Sequence, residues 1–431
     1  MSALRPNFLG QSRDALTEYF AGLGERSYRA TQAMKWVYHR DVDGFDAMSD
    51  IGKRVRDRLA ADFEIRLPEV VTAQVSRDGT RKWSVRVSNG QAVECVLIPE
   101  KGRNTLCVSS QIGCMLDCSF CSTGKQGFAG NLDAGDIVGQ VLLVERELAR
   151  VHREEAVARG DLSTSAGEVR GEDEDAGVAA GAATYRERRR AEDASADARG
   201  VTNVVLMGMG EPLLNFDNVL AATGLMMDDL AFGISKRRVT VSTAGVVPGI
   251  YALAAQSDVS LAVSLHAPDD ALRDELVPIN RKYPIAELLE ACRHYQDTSL
   301  GERRTVTFEY TLLDGVNDNV AQARDLARLL RAFPCKINLI PFNPFPGSSY
   351  DRPAMERVRA FQTVLMQSGY ATMLRTTRGD DIDAACGQLV GRFADRTRRR
   401  ERHLARVAQA ATAGAVGVPG DSALSLLEIT E

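Results

Sequence analysis

The sequence Gly113-Cys114-Met115-Leu116-Asp117-Cys118-Ser119-Phe120-Cys121 holds three cysteines in the spacing C-x₃-C-x₂-C. The stretch follows a strand-like run, Cys107–Gln111, so it is predicted to be a loop at the end of a strand. Three thiolates can bind three irons of a [4Fe–4S] cubane and leave the fourth iron open to an exogenous amino and carboxylate group. The alternatives are chance clustering and a zinc site, but structural zinc sites usually show two paired ligand sets. The spacing therefore predicts a [4Fe–4S] cluster with one open iron.

Beyond the cysteines, strand-like and helix-like runs alternate along the chain. Six such units predict an α/β fold with a parallel sheet and outer helices, either a doubly wound sheet or a partial (β/α)₆ barrel. In both architectures the functional loops lie at the carboxyl ends of the strands. The strand-like runs are Cys107–Gln111, Asn203–Gly208, Arg238–Ser242, Ser260–Leu265, Thr305–Leu312 and Lys336–Pro341, with a last segment at Thr372–Thr376. The helix-like runs are Asp136–Arg150, Asn218–Asp229, Val247–Ala255, Ile285–Tyr295, Ala321–Ala332 and Met355–Ser368.

The 431 residues divide by pattern into four parts. Residues 1–65 predict a helical accessory domain, and residues 66–100 predict a β-hairpin extension. Residues 101–390 predict the barrel, and residues 391–431 form a C-terminal extension. Residues 152–199 are rich in Ala, Gly and charged residues, which predicts a disordered surface insertion. The extension is predicted from the strand-like runs Val71–Ser76, Lys82–Val87 and Ala92–Pro99.

Composition predicts a soluble cytoplasmic protein without a membrane span. Hydrophobic residues make up 44% and charged residues 26%, and no apolar run is long enough to span a bilayer. The first residues lack the apolar core of a signal peptide. In a reducing compartment the eight cysteines are predicted to be ligands, catalytic groups or buried thiols, and not structural disulfides.

Basic residues gather locally although the net charge is −5. Such patches attract phosphates. The clusters Lys236–Arg238, Arg303-Arg304 and Arg398–Arg400, together with the helix around Trp36, are candidate RNA contacts. A solvated surface is the alternative for each of them.

Further phrases match one enzyme family from residue 78 to residue 387. The three-cysteine spacing with an aromatic residue before the last cysteine resembles the signature of radical S-adenosylmethionine enzymes. Within that group, the chain resembles the bacterial adenine-C2 methyltransferases of 23S rRNA and tRNA. The matching phrases are Asp78-Gly-Thr-Arg-Lys-Trp83, Cys107-Val-Ser-Ser-Gln-Ile-Gly-Cys114, Gly208-Met-Gly-Glu-Pro212, Lys236-Arg-Arg-Val-Thr-Val-Ser242, Ser264-Leu-His266, Pro341-Phe-Asn-Pro344 and Arg378-Gly-Asp-Asp-Ile-Asp-Ala-Ala-Cys386-Gly387.

The resemblance implies a set of contacts to S-adenosylmethionine. In the family, the segment that contains Gly210 and Glu211 meets the amino group of the methionine moiety. Taken alone, a Gly-x-Gly-Glu-Pro turn is more often only a turn, and His266 alone is more often structural. The other implied cofactor residues lie at or just past strand ends: Ser242, Ser264, Leu265, His266 and Asn343.

The resemblance also implies a two-cysteine mechanism. C2 of adenine is electron-poor, so a methyl group cannot pass to it directly from a sulfonium ion. Cys386 instead takes the methyl group from one S-adenosylmethionine. A second molecule, bound at the open iron, is reductively cleaved to a radical that activates the methyl-sulfide for addition to C2. Cys107 then helps to remove the C2 proton, forms a transient disulfide with Cys386 and frees the base. Glu94 is the other candidate for the proton, as acceptor or acidic relay.

The implied substrates are adenine 2503 of 23S rRNA and adenine 37 of tRNA, reached by base extrusion or in a loop. Two S-adenosylmethionine molecules are consumed per methylation, and an electron donor such as flavodoxin is implied. One alternative is the C8-methylating resistance enzyme, which shares both catalytic cysteines. A second is a non-enzymatic iron–sulfur or zinc RNA-binding protein.

Overall fold

The computed structural model describes residues 5–158, 200–301, 304–391, 397–399, 401–403 and 405. Among these residues, ten strands form one sheet in the order β1-β2-β3-β4-β7-β8-β9-β10-β11-β12. Strands β1 to β4 pair antiparallel, and from β4 onward each neighbouring pair is parallel. The strands are β1 Glu69–Val75, β2 Arg81–Arg86, β3 Ala92–Glu100, β4 Arg103–Cys107, β5 Gln111–Gly113, β6 Phe128–Asn131, β7 Asn203–Leu206, β8 Val239–Thr243, β9 Ser260–Ser264, β10 Thr307–Leu312, β11 Lys336–Pro341 and β12 Ala371–Leu374.

The predicted parallel sheet is confirmed, with one misplaced strand. The run Cys107–Gln111 is not a strand, because β4 ends at Cys107. The chain leaves the sheet there, since the amides of Ser110 and Gln111 both donate to the carbonyl of Met209. Gln111 then begins β5, which pairs only with β6. The predicted hairpin is continuous with the barrel sheet through the pairing of β3 with β4.

Helices cover the parallel strands as the alternating pattern predicts. The helix Val320–Leu329 begins with a reciprocal capping box, which Asn319 and Gln322 form at its first turn. The helices are α1 Arg13–Gly22, α2 Tyr28–His39, α3 Lys53–Asp62, α4 Ser122–Lys125, α5 Ala134–Ala158, α6 Phe216–Met227, α7 Val247–Gln256, α8 Asp270–Leu276, α9 Ile285–Tyr295, α10 Val320–Leu329 and α11 Met355–Gln367. None of these helices is both long and apolar enough to traverse a bilayer.

The N-terminal helices α1 to α3 pack around a small aromatic core. The ring of Phe8 meets Phe45 and Phe63 edge to face, at centroid distances of 5.6 and 6.0 Å. This unit is attached to the barrel helices, since His39 Nε2 lies 3.2 Å from the carbonyl oxygen of Ala231. Packing of an apolar face, not helix propensity alone, holds such short helices.

Helix α5 corrects the predicted start of the insertion. The helix was predicted to end at Arg150 but continues to Ala158, so residues 152–158 are helical. Ion pairs from Arg150 to Glu147 and Glu154 support this last part. Residues 159–199, and nearly all of the tail beyond residue 391, lie outside the described residues.

The sheet curves so that its two ends approach each other. The loop that follows β12 forms hydrogen bonds with the β1–β3 extension. Ser76 donates to the Asp381 carboxylate and Lys82 donates to the Asp383 carbonyl. In the other direction, the Gly379 amide donates to the Asp78 carboxylate. This loop therefore bridges the open side of the curved sheet and covers the carboxyl ends of the parallel strands.

Candidate active site

A cavity of about 140 Å³ lies at the carboxyl ends of the parallel strands. It brings together residues that are far apart in the sequence. Glu94, Cys107 and Leu265 were also predicted as site residues, but they are not among its lining. The predicted residues that do line it are Cys114, Cys118, Cys121, Gly210, Glu211, Ser242, Ser264, His266, Asn343 and Cys386.

The three loop cysteines face one side of this cavity. Burial raises the pKa of the Cys118 thiol to about 12, and the charges of Cys121 and Glu211 add to the shift. Burial also raises the pKa of Cys114 and of Cys121. Metal binding must therefore release the thiol protons.

The three thiols suit the ligands of a [4Fe–4S] cluster, in which each thiolate binds a different iron. Loop spacing, common orientation and burial all suit the cluster.

Backbone hydrogen bonds fix the cysteine loop. The amide of Cys114 donates to Gly127 O at 2.7 Å, and the amide of Ser119 donates to Leu276 O at 3.0 Å. Arg399 of the tail donates to carbonyl oxygens of the same loop, at 3.2 Å for Cys114 and 2.8 Å for Leu116. The predicted basic cluster Arg398–Arg400 therefore contributes Arg399 to the cysteine loop.

Gly210 and Glu211 form the turn after β7. Gly210 has φ +104°, and a Cβ there would stand 2.5 Å from Cβ of Gln111, so only glycine fits. Each Glu211 carboxylate oxygen accepts one backbone N–H, from Leu213 at 3.1 Å and Ala244 at 2.7 Å. Burial raises the pKa of Glu211 to about 7, against the opposing effect of these bonds.

Ser264 and His266 border the cavity at the end of β9. His266 has the left-handed φ of 59°, which is held because its carbonyl accepts from Asn317 Nδ2 at 2.8 Å. Its Nδ1 accepts the Thr311 amide at 2.9 Å, which assigns the ring proton to Nε2. Burial lowers the pKa of His266 to about 3, with a further contribution from Arg273. His266 is thus a neutral donor packed edge-on against Phe120, with ring centroids 4.6 Å apart.

Arg273 connects the strand ends around the cofactor cavity and was not predicted. Its fully buried guanidinium donates to Leu265 O at 3.1 Å, Ser264 O at 3.0 Å and Ala244 O at 2.7 Å. The guanidinium also donates to Asn280 Oδ1 at 2.7 Å. Leu265 thus supports the site through its backbone and not by lining it.

Asn343 follows β11 and is oriented by two neighbours. Its Oδ1 accepts from Thr377 Oγ1 at 3.0 Å and from Arg352. Arg352 also donates to Phe342 O at 2.8 Å. Because the oxygen is occupied, the Asn343 amide can serve the cavity as a donor.

Cys386 lies in the loop Gly379–Gly391, which we call the carrier loop. The loop crosses the cysteine loop, since Ser122 N donates to Gly387 O and Thr123 Oγ1 donates to Leu389 O, both at 2.8 Å. These bonds place Cys386 at the cavity that Cys114, Cys118 and Cys121 also line. All eight cysteines are free thiols.

Glu94 of β3 contacts the carrier loop through its carboxylate. Its Oε2 accepts the amide of Val390 at 2.9 Å, and its Oε1 lies 3.4 Å from Nζ of Lys82. Burial raises the pKa of Glu94, while the charge of Lys82 opposes the shift. The structure therefore places the predicted carboxylate beside the carrier loop. It contacts that loop at Val390, which is four residues along the chain from Cys386.

Cys107, the last residue of β4, is buried close to Cys386. Burial raises its pKa to about 12, and the charge of Cys386 adds to the shift. Arg375, just past β12, lies near both thiols, with Nη1 3.9 Å from Sγ of Cys386. The buried carboxylate of Glu309 lines the same cavity.

Several predicted RNA contacts have structural partners. Lys236 pairs with Asp258 at the amino end of the strands, away from the cavity. Arg304 donates to the backbone carbonyl of Ser299 at 2.9 Å, and Arg303 lies outside the described residues. Trp36 donates to Asp50 at 2.6 Å, and the Arg40 guanidinium lies 4.0 Å from the centre of its ring.

Of the residues that sequence reasoning missed, Glu309 carried a signal, because it is a charge within the apolar strand β10. Arg273 carried no such signal, because its helix α8 is rich in charged residues, although its side chain is fully buried. Buried charges of this kind are rare and need partners. Arg375 carried a weaker signal, its position immediately after the last parallel strand.

Comparisons with known proteins identify the family of the chain. The family model described as "Ribosomal RNA large subunit methyltransferase N-terminal domain" matches residues 6–65, and the "Radical SAM superfamily" model matches residues 184–327. A solved structure titled as a radical SAM methyltransferase from Sphaerobacter thermophilus is 39% identical, with a TM-score of 0.72. That match covers 89% of this chain and 99% of the other.

Two curated relatives are named dual-specificity RNA methyltransferase RlmN. The protein from Pseudomonas fluorescens (strain SBW25) is 53% identical over 404 residues, covering 94% of each chain. The protein from Marinobacter nauticus is 52% identical, covering 94% of this chain and 98% of the relative. With more than half of its residues identical over nearly its whole length, the chain belongs to the RlmN family of radical SAM RNA methyltransferases.

Proposed function

We propose that this enzyme methylates C2 of adenine in 23S rRNA and tRNA, at the positions 2503 and 37 that the family resemblance implies. One observation carries the proposal: the three loop cysteines and Cys386, which follows β12 far along the chain, line the same cavity. A radical SAM enzyme without a methyl carrier has no need for that fourth thiol at the cofactor cavity.

The residues around the cavity suit two S-adenosylmethionine molecules, used in sequence. Cys114, Cys118 and Cys121 would hold one [4Fe–4S] cluster. When bound, this cluster supplies the electron for reductive cleavage of S-adenosylmethionine, which yields the radical that removes hydrogen from the methyl group on Cys386. Glu211 would accept from the amino group of the methionine moiety. Ser242, Ser264, His266 and Asn343 would position the rest of the cofactor, and Gly210 would let it approach the backbone.

Cys386 would act first as a nucleophile. Its thiolate displaces the methyl group of S-adenosylmethionine, so that a carbon–sulfur bond forms on Cys386 and the sulfonium leaves as a neutral thioether. After the activated carbon adds to C2, the RNA adduct loses one electron to the electron-transfer partner and its C2 proton to a base. Glu94 is the proposed base or acidic relay, and its raised pKa suits proton transfer.

Cys107 would then release the product. Its thiolate attacks Sγ of Cys386, a sulfur–sulfur bond forms and the carbon–sulfur bond breaks. The electron pair stays on the carbon, which takes up a proton and becomes the methyl group of 2-methyladenine. The position of Cys107 near Cys386 supports this transient disulfide.

The remaining parts of the chain would serve the RNA and the redox partner. Residues 1–65 are proposed as an RNA-binding unit, residues 66–100 as the extension that holds the carrier loop, and residues 101–390 as the catalytic barrel. The extension from 391 to 431 contributes Arg399 to the cysteine loop. An electron donor such as flavodoxin, in the cytoplasm, would supply the reducing electron.

Nucleoside mass spectrometry tests the proposed reaction. The reconstituted enzyme with S-adenosylmethionine, reductant and unmodified 23S rRNA or tRNA should yield 2-methyladenosine in both RNAs. Formation of 8-methyladenosine would instead assign the C8 reaction. About four irons per chain, with S-adenosylmethionine cleavage on reduction, would exclude a non-enzymatic binding protein.

A trapping experiment tests the two thiols. In Cys107→Ala the release step is blocked, so RNA should remain covalently attached to Cys386. The attachment site is read by peptide mass spectrometry after nuclease digestion. An active preparation without any adduct would contradict the resolving role of Cys107.

A further inference from the structure

Arg375 is the cation nearest to the thiol that the proposed function makes the methyl carrier. Its backbone is fixed at the end of β12, because its amide donates to Leu339 O at 2.8 Å. Its Nη1 lies 3.9 Å from Sγ of Cys386, within hydrogen-bonding range for sulfur. The guanidinium thus touches the atom that would take the methyl group.

Other charges around Cys386 oppose its ionisation. Glu309 of β10 and Cys121 of the cysteine loop both raise the pKa of Cys386, in addition to the larger effect of burial, and Arg375 opposes all three. Cys107 faces Cys386 from β4. The charge of Cys386 is also the largest influence on the guanidinium and raises the pKa of Arg375. Among these neighbours Arg375 supplies the positive charge.

We propose that Arg375 is a catalytic residue that stabilises the thiolate form of Cys386 for the displacement on S-adenosylmethionine. The inference rests on the proposed function of Cys386 and adds the group that activates it. The thiol proton leaves to solvent, and the sulfur then forms its bond to the methyl carbon as the carbon–sulfur bond of the sulfonium breaks. Arg375 transfers no proton and stabilises the anion by charge.

The net benefit follows from two opposing effects. An opposite charge within about 4–6 Å lowers a pKa by about one to three units. Each unit by which the pKa approaches neutrality raises the thiolate fraction about tenfold and lowers the reactivity of each thiolate only about threefold. Loss of the charge should therefore slow Cys386 by about three- to thirtyfold near neutral pH.

Thiol alkylation on the reconstituted holoenzyme measures this effect without turnover. Brief anaerobic pulses of iodoacetamide from pH 6 to 10, followed by peptide mass spectrometry, give the pH midpoint for Cys386. Arg375→Gln should raise that midpoint by at least about one unit, and Arg375→Lys should restore most of the shift. Glu309→Gln, which removes the opposing carboxylate, should lower the midpoint.

The controls separate charge from structure. Arg331→Gln changes an exposed arginine at the other end of the strands and should leave the midpoint unchanged. Iron content and melting temperature, measured for every variant, report structural damage, which has no reason to shift the midpoint in opposite directions. An Arg375→Gln midpoint equal to that of wild type would overturn the inference. If that variant does not fold, an unshifted Glu309→Gln would overturn it.

Methylation of Cys386 in the wild-type enzyme keeps the two proposals distinguishable. S-adenosylmethionine without RNA should give S-methyl-Cys386, detected by mass spectrometry. If no methyl group appears, the carrier function fails, whatever the alkylation midpoints are. If Cys386 is methylated but Arg375→Gln leaves both midpoint and methylation rate unchanged, only the role of Arg375 fails.

Discussion

Two cysteine-bearing loops meet at the cavity, and they are held in different ways. The loop Cys114–Cys121 is fixed mainly through backbone groups, such as the Cys114 amide on Gly127 and the Ser119 amide on Leu276. The carrier loop is fixed by side chains from the β1–β3 extension, including Ser76, Asp78 and Glu94.

The difference matches the role proposed for each loop. A cluster needs three thiols at constant separation, and short-range backbone bonds supply that rigidity. A methyl carrier has to meet first a sulfonium, then a radical, then a second thiol. Side-chain contacts to a neighbouring extension can hold such a loop and still permit movement, because each contributes only about 1 kcal/mol.

Cysteine substitutions should give the largest difference between the two loops. Cys118→Ala removes a cluster ligand, so bound iron, reductive cleavage of S-adenosylmethionine and methylation should all be lost. Cys386→Ala should retain iron and cleavage and lose only methylation. Iron analysis and quantification of 5′-deoxyadenosine measure this, with Cys335→Ala as a control at the other end of the strands. Loss of cleavage in a fully iron-loaded Cys386→Ala would mean that the loops are not separable.

Arg273→Met should destabilise the cysteine-loop side of the cavity. The substitution leaves three buried carbonyls and Asn280 without a charged donor. The free energy of unfolding should fall by about 3 kcal/mol or more, measured by urea denaturation. Arg304→Met, which also removes a donor to backbone carbonyls, is the matched control and should leave S-adenosylmethionine affinity unchanged. Equal loss of affinity in both variants would argue against a local role for Arg273.

Glu211 should make cofactor binding depend on pH. Its pKa of about 7, raised by burial, means that it is protonated at lower pH and then cannot offer a full negative charge to an ammonium group. From pH 7 down to 5.5 the Kd for S-adenosylmethionine should rise about fifteenfold in total. Calorimetric titration measures this, and Glu211→Gln should bind weakly with no such slope. A wild-type Kd that is constant over this range would contradict the assignment.

Asp78→Ala should weaken the attachment of the carrier loop, with the smallest expected loss of stability. Against the opposing effect of burial, hydrogen bonds from Thr80, Gly379 and Ser76 lower the pKa of Asp78 to about 2. Because the folded-state pKa is depressed, its stabilising contribution is present above about pH 4 and is lost as pH falls toward 2. At neutral pH the variant should lose about 1 kcal/mol.

Hydrogen exchange locates that loss. The amide of Gly379, which donates to Asp78 at 3.1 Å, should exchange faster in Asp78→Ala, while the amide of Cys114 should not change. Faster exchange in both loops would show that they open together. Asp325→Ala, at an exposed ion pair with Arg328, is the control.

The alternating pattern was enough to predict the parallel sheet and its outer helices. The predicted strand Cys107–Gln111 was wrong because the hydrogen bonds of Ser110 and Gln111 to Met209 turn the chain away from the sheet. The end of α5 was missed because exposed i,i+4 ion pairs, not apolar periodicity, support its last turns.

By itself, the sequence predicted the cluster ligands, the cofactor-binding turns and the two thiols outside the cluster, because spacing and motifs are local properties of the chain. Only the tertiary structure decided which groups act on those thiols. Arg375, Glu309 and Arg273 gain their importance from burial and from neighbours distant in sequence, since a charge is strengthened or opposed by what surrounds it in space. The curvature of the sheet brings the end of β12 beside β4. It therefore decides which charged groups lie next to Cys386.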